Sequence, residues 1–166
     1  MPRRLLAAQP TLLMSNLFLK AVIAFLALPG IVAFAVPWWL LRPRVPTDFA
    51  TPGGLVLAIG VGILLWCVRD FYVAGKGTLA PWAPPERLVI CGLYRWSRNP
   101  MYIGVSFVLW GWALGFRSGV LAVYALLVML SFHLRVVFGE EPWLARRHGR
   151  QWEHYKAAVP RWFGPL

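Results

Sequence analysis

The feature that most constrains this chain is Leu17–Leu41, an apolar run of about 25 residues that is long enough to cross a hydrocarbon core of about 30 Å as a helix. Three more apolar runs follow, at Gly53–Val73, Met101–Phe116 and Gly119–Phe138. Together they predict an all-α integral membrane protein with about four transmembrane helices. Pro29-Gly30 and Pro37 predict kinks in the first span, and Gly60 and Gly62 predict close approach of a neighbour to the second. The third span is short. At 1.5 Å per residue it reaches about 24 Å, so it predicts local thinning or help from interfacial Trp96 and Tyr102. The Arg117-Ser118 turn then folds the third and fourth runs into a helical hairpin.

Composition agrees with this reading. Hydrophobic residues make up 59% of the 166 and the mean hydropathy is +0.60, above the range of soluble domains. The length predicts one membrane domain over 1–166 and leaves no room for a separate soluble catalytic domain, so any function resides in the bundle and its loops. The apolar N-terminal run is longer than a signal-peptide core and is read as a retained helix.

The formal charge is +11, from 17 basic and 6 acidic side chains. In a soluble protein this would point to nucleic acid, but here the cations lie between and beyond the apolar runs. They are read as loop cations facing anionic membrane lipids, with no nucleic acid and no obligatory protein partner. Arg69, Lys76, Arg87, Arg95 and Arg98, and the tail with Arg135, Arg146, Arg147, Arg150, Lys156 and Arg161, place both of these segments in the cytoplasm. Arg3 and Arg4 place the N-terminus on the same side. Cys67 and Cys91 stand in different settings and define no disulfide framework.

Beyond the fourth span, Trp143, Leu144, His148, Trp152 and Tyr155 share one side of a predicted amphipathic helix over Glu140–Tyr155, which Val159-Pro160-Arg161 ends. His133, His148 and His154 form no metal-binding pattern, and no serine sits in a nucleophile elbow. Two segments carry chemistry instead. One is the loop over 75–102, which ends at Asn99-Pro100. Its junction with the third helix either serves as a plain helix start, with Asn99 as cap, or offers free backbone N–H groups to an anionic ligand. The other is Glu140-Glu141, which opens the tail over 139–166. These acids either face a bound cation or pair with Arg146 and Arg147 at helical spacing. Arg135 lies close to Glu140 and is suited to a bidentate hold on a substrate carboxylate.

The order Arg87-Leu88-Val89, Gly92-Leu93-Tyr94, Arg98-Asn99-Pro100-Met101-Tyr102-Ile103-Gly104, then Glu140-Glu141, Leu144, Gly149, Trp152, Tyr155 and Val159-Pro160-Arg161 resembles the isoprenylcysteine carboxyl methyltransferase and phospholipid methyltransferase superfamily. The likeness covers roughly 78–161. It implies S-adenosyl-L-methionine held by Glu86, Arg87, Leu88, Val89, Tyr94, Arg98, Asn99, Pro100, Met101 and Tyr102 with Glu140 and Glu141, and a lipophilic acceptor entering from the bilayer near Arg135. The family most often has His where this chain has Asn99.

Methyl transfer from a sulfonium to a carboxylate or thiolate requires positioning rather than a strong base. An amine acceptor needs proton removal, for which His133 or Glu140 is available. Two other readings compete, an NADPH-dependent membrane reductase and a non-enzymatic lipid-binding bundle.

Overall fold

The computed structural model describes residues 26–42, 52–73 and 88–163. Residues 17–25 of the first predicted span, and loop residues 75–87 with Glu86 and Arg87, lie outside the described residues. Every regular element among the described residues is helical. Helix α1 is π-wound over Leu26–Ala35, with Pro29 inside, and α-helical over Val36–Leu41. Next come α2 (Pro52–Val73), a 3-10 turn (Gly92–Arg95), α3 (Pro100–Gly115) and α4 (Gly119–Arg135). A π-turn (Val136–Glu140) leads to α5 (Glu141–His148) and α6 (Arg150–Ala158).

Two stretches, Pro52–Asp70 and Gly119–His148, are long and apolar enough to cross a membrane, and Pro29–Leu41 and Pro100–Gly115 are shorter apolar helices. Leu55, Ile59, Leu65 and Trp66 on α2, and Val123, Leu126, Leu127 and Leu130 on α4, are exposed. Outward apolar faces of this extent suit lipid as solvent.

The short helix α3 is the centre of the bundle. It packs against both α2 and α4, and Val105, Val108 and Leu109 are buried in a core with Leu64, Ala125 and Ala33. Because its neighbours cover it, its length does not have to match the hydrocarbon. Helices α2 and α3 run antiparallel with their backbones in contact. A Cβ on Gly53 would collide with the Gly115 nitrogen, and one on Gly60 would lie 2.6 Å from the Val108 nitrogen. In lipid, such close packing replaces the hydrophobic drive for association. Gly62, predicted to share this role, points into open space.

Pro37 of α1 explains part of a second tie. Pro37 has no N–H, so it removes the helical donor that Ala33 O, four residues back, would receive. The Trp112 indole donates to Ala33 O at 2.9 Å and the Tyr124 hydroxyl to Val32 O at 3.0 Å. Side chains of α3 and α4 thus bond the α1 backbone, and the Trp112 indole supplies the donor that Pro37 cannot. The predicted hairpin turn is present, with Arg117 at φ +47° and the Ser118 Oγ accepting from Leu121 N.

The predicted single amphipathic helix over Glu140–Tyr155 is corrected in two respects. Its first half continues α4 through the π-turn, and Gly149, at φ +48°, breaks it from α6. Trp152, Tyr155 and Val159 are buried together against Leu88, Leu144 and Ala145, while Trp143 stays exposed. The tail therefore folds back on the loop before α3.

Candidate functional site

The π-turn sets the geometry of the site. The Glu141 N–H bonds to Val136 O, five residues back. This winding returns Glu140 to the side of the helix that carries Arg135, where a regular α-helix would turn it away. The Arg135 Nε donates to Glu140 Oε1 at 2.9 Å, and the Tyr102 hydroxyl of α3 donates to the same oxygen. Tyr102 also stacks on Phe132, with ring centroids 4.4 Å apart. Two predicted site residues from α4 and its extension thus meet a third from α3.

His133 stands beside this group. Its ring stacks with Trp162 of the tail at 6.2 Å, and Trp162 Nε1 donates to its Nδ1 at 3.3 Å. The Trp162 ring also lies 6.5 Å from Tyr102. From here a groove of about 570 Å³ runs along α3, lined by Ile103, Phe107 and Trp110, by Met129 and Leu130 of α4, and by Val56 of α2. Phe132, His133, Trp162 and Phe163 line it too. Its polar side chains are few: Ser106 donates to Tyr102 O at 2.8 Å, and the Trp110 indole faces Met129 Sδ.

Glu141 faces the other way and clasps the tail. Its Oε1 accepts from Arg161 Nε at 2.7 Å and its Oε2 from Arg161 Nη2 at 2.9 Å, while Arg98 Nη1 lies 3.0 Å from Oε1. Neither acid pairs with Arg146 or Arg147; the alternative that anticipated those partners is replaced by Arg135 for Glu140 and by Arg98 and Arg161 for Glu141. Asn99 precedes α3 but makes no side-chain cap. Its Nδ2 instead donates to Arg161 O at 3.0 Å, beside Ser97 Oγ, and Arg98 N donates to Pro160 O.

The Arg98 guanidinium lies over the Trp152 ring at 5.4 Å. Burial lowers its pKa, with Glu141 opposing the shift, and its buried Nε has no acceptor among the described residues. Arg161 moves up because it donates to Glu141. Tyr94 is buried in the 3-10 turn, and its carbonyl accepts from the Tyr155 hydroxyl at 2.7 Å.

The remaining predicted residues among the described ones lie in or against the packed clusters. Val89 is buried beside Cys67 and Tyr94, Leu88 covers the Trp152 cluster, Pro100 is buried in the first turn of α3, and Met101 packs on the main core. Sequence reasoning did not single out Phe132, Ser106, Trp162 or Phe163. In the sequence Arg161 stands only as a cation of the tail and the last residue of its motif.

The family model for phospholipid methyltransferases matches residues 50–151. The chain belongs to the phospholipid methyltransferase family. It is therefore a membrane methyltransferase for lipid-like substrates. The match takes in α2, α3, α4 and the π-turn, with Arg98, Tyr102, Arg135, Glu140 and Glu141. Helix α1 and the Arg161–Trp162 end of this family member lie outside it. No curated protein and no solved structure matches the chain.

Proposed function

We propose that this phospholipid methyltransferase family member uses S-adenosyl-L-methionine to methylate a lipophilic acceptor that partitions into the bilayer and presents a carboxylate, thiol or amine. The observation that carries this reading is an apolar groove of about 570 Å³, lined at one end by Phe132, His133 and Trp162, beside the Tyr102–Glu140–Arg135 group that Tyr102 joins to it by stacking on Phe132. Such a shape suits a molecule with a hydrocarbon chain and a reactive polar end.

The residues present fit the cofactor. The buried Nε of Arg98, which lacks an acceptor, suits its carboxylate, and Glu140 among the Tyr102 and Trp162 rings suits its cationic portion. S-adenosyl-L-methionine supplies the methyl group on a sulfonium. The chain's own part is to bind and orient: the groove aligns the acceptor chain, and Arg135 fixes the Glu140 carboxylate or takes an anionic acceptor group. For an amine acceptor, Glu140 receives the proton. Holding two reactants in register is a sufficient source of acceleration for such a displacement. Arg95, Arg98, Arg146, Arg147, Arg150 and Arg161 favour a cytoplasmic placement of this end of a multi-pass protein.

Calorimetry on the detergent-solubilised protein tests the cofactor. S-adenosylhomocysteine should bind and NADPH should not; the reverse result would replace methyl transfer with reduction.

A further inference from the structure

The groove is poor in usable donors. The Ser106 hydroxyl donates to Tyr102 O, and the Trp162 indole donates to His133 Nδ1. An imidazole nitrogen that accepts a hydrogen bond carries no proton, so the neutral His133 ring carries its proton on Nε2. His133 lines the groove next to Phe132, whose ring stacks on the Tyr102 that bonds Glu140. It therefore brings a donor to a wall that is otherwise apolar.

We infer that Trp162 and His133 form a specificity contact: Trp162 fixes the imidazole tautomer, and the Nε2–H of His133 binds an oxygen of the acceptor lipid, an ester or phosphate oxygen between its chain and its reactive end. The inference rests on the groove holding the acceptor and assigns His133 to recognition rather than to proton removal. In a groove this apolar, an oxygen left without a donor is disfavoured, and a donor left without an oxygen equally so. The enzyme thus prefers an oxygen-linked lipid to a simple alkyl amphiphile of similar length. Trp162 is a positioning residue, and the tail clasp through Arg161, the preceding residue, places it over His133.

Two measurements test this. Long-range proton–nitrogen NMR of histidine-labelled protein in micelles reports the tautomer, since the chain has three histidines and His133→Gln identifies the signal. A proton on Nε2 at neutral pH supports the assignment; a proton on Nδ1, or on both nitrogens, overturns it.

The second is the ratio of kcat/KM for phosphatidylethanolamine to that for hexadecylamine. His133→Asn and Trp162→Phe should each lower this ratio about tenfold, the scale of one hydrogen bond, mainly through KM. His133→Gln should keep it, because its amide nitrogen reaches the place of Nε2. Equal behaviour of the Asn and Gln variants, or a fall in kcat alone, would overturn the inference. If the wild type methylates neither lipid, the methyl-transfer reading with these acceptors fails, while the NMR result still decides the tautomer.

Discussion

Arg135 and Glu140 are five residues apart and pair at 2.9 Å because the helix between them is π-wound. The pair is half-open to solvent, with the Arg135 side chain 58% and the Glu140 side chain 34% exposed. A pair in this setting contributes little to stability, at most about 1 kcal/mol. The proposed function gives Glu140, which also accepts from the Tyr102 hydroxyl, a part in the reaction instead. Glu140→Gln should leave thermal unfolding nearly unchanged and reduce methyl transfer about 100-fold, the usual scale for a lost acid–base or charge-positioning group. Large destabilisation with turnover intact would show the acid to be structural.

Glu141, the neighbouring acid, should behave in the opposite way. It is 13% exposed, bidentate to Arg161 and beside an Arg98 side chain that is 9% exposed. Glu141→Gln removes charge-assisted bonds and leaves a buried cation uncompensated, at a cost of about 1.5–3 kcal/mol. Trypsin should then cleave after Arg161 much faster than in the wild type. An unchanged cleavage rate would mean that the clasp does not hold the tail.

The donors lent to α1 make a double-mutant cycle informative. Trp112→Phe deprives Ala33 O of its partner and should cost about 1 kcal/mol in micelles, on the scale measured between helices in membranes. Pro37→Ala restores a backbone N–H one turn on, so in that background the same change should cost less. Strict additivity of the two substitutions would argue against a shared carbonyl.

Tyr155 connects the tail to pH. Burial raises its phenol pKa above the ordinary value, with Arg98 opposing the shift, and its hydroxyl donates to Tyr94 O. A raised folded-state pKa means that this contribution is fully present below about pH 10 and fades as pH climbs through the folded value. The melting temperature should therefore fall on the alkaline side of pH 10, and Tyr155→Phe should flatten part of that fall. Buried Tyr94, raised by burial as well, accounts for a remaining slope. An identical alkaline slope in the variant would remove Tyr155 from the linkage.

The helical order was legible in the sequence because apolar runs of membrane length leave few alternatives. The described α3 begins at Pro100 and ends at Gly115, one residue from the predicted bounds. Its central position was not legible, since shortness alone reads as a weak span and the glycine contacts that bury it are tertiary.

The side-chain partners divide in the same way. Arg135 and Glu140 were near in sequence, but their pairing depends on a π-turn with no local signature. For Glu141, Arg146 and Arg147 stood at helical spacing, whereas Arg161 comes 20 residues later and reaches it only because the chain turns back at Gly149. The amphipathic period of Leu144, His148 and Trp152 continues across Gly149, which concealed the break. Trp162 has no motif, and its contact with His133 appears only when the tail is folded.

The most direct test of the central claim is transfer of a radiolabelled methyl group from S-adenosyl-L-methionine to lipid by the full-length protein in phospholipid vesicles. Label should appear in the organic-extractable lipid with the wild type and fall to near background with Glu140→Gln. Extractable label no higher than in empty vesicles, together with lipid-dependent oxidation of NADPH, would contradict the account.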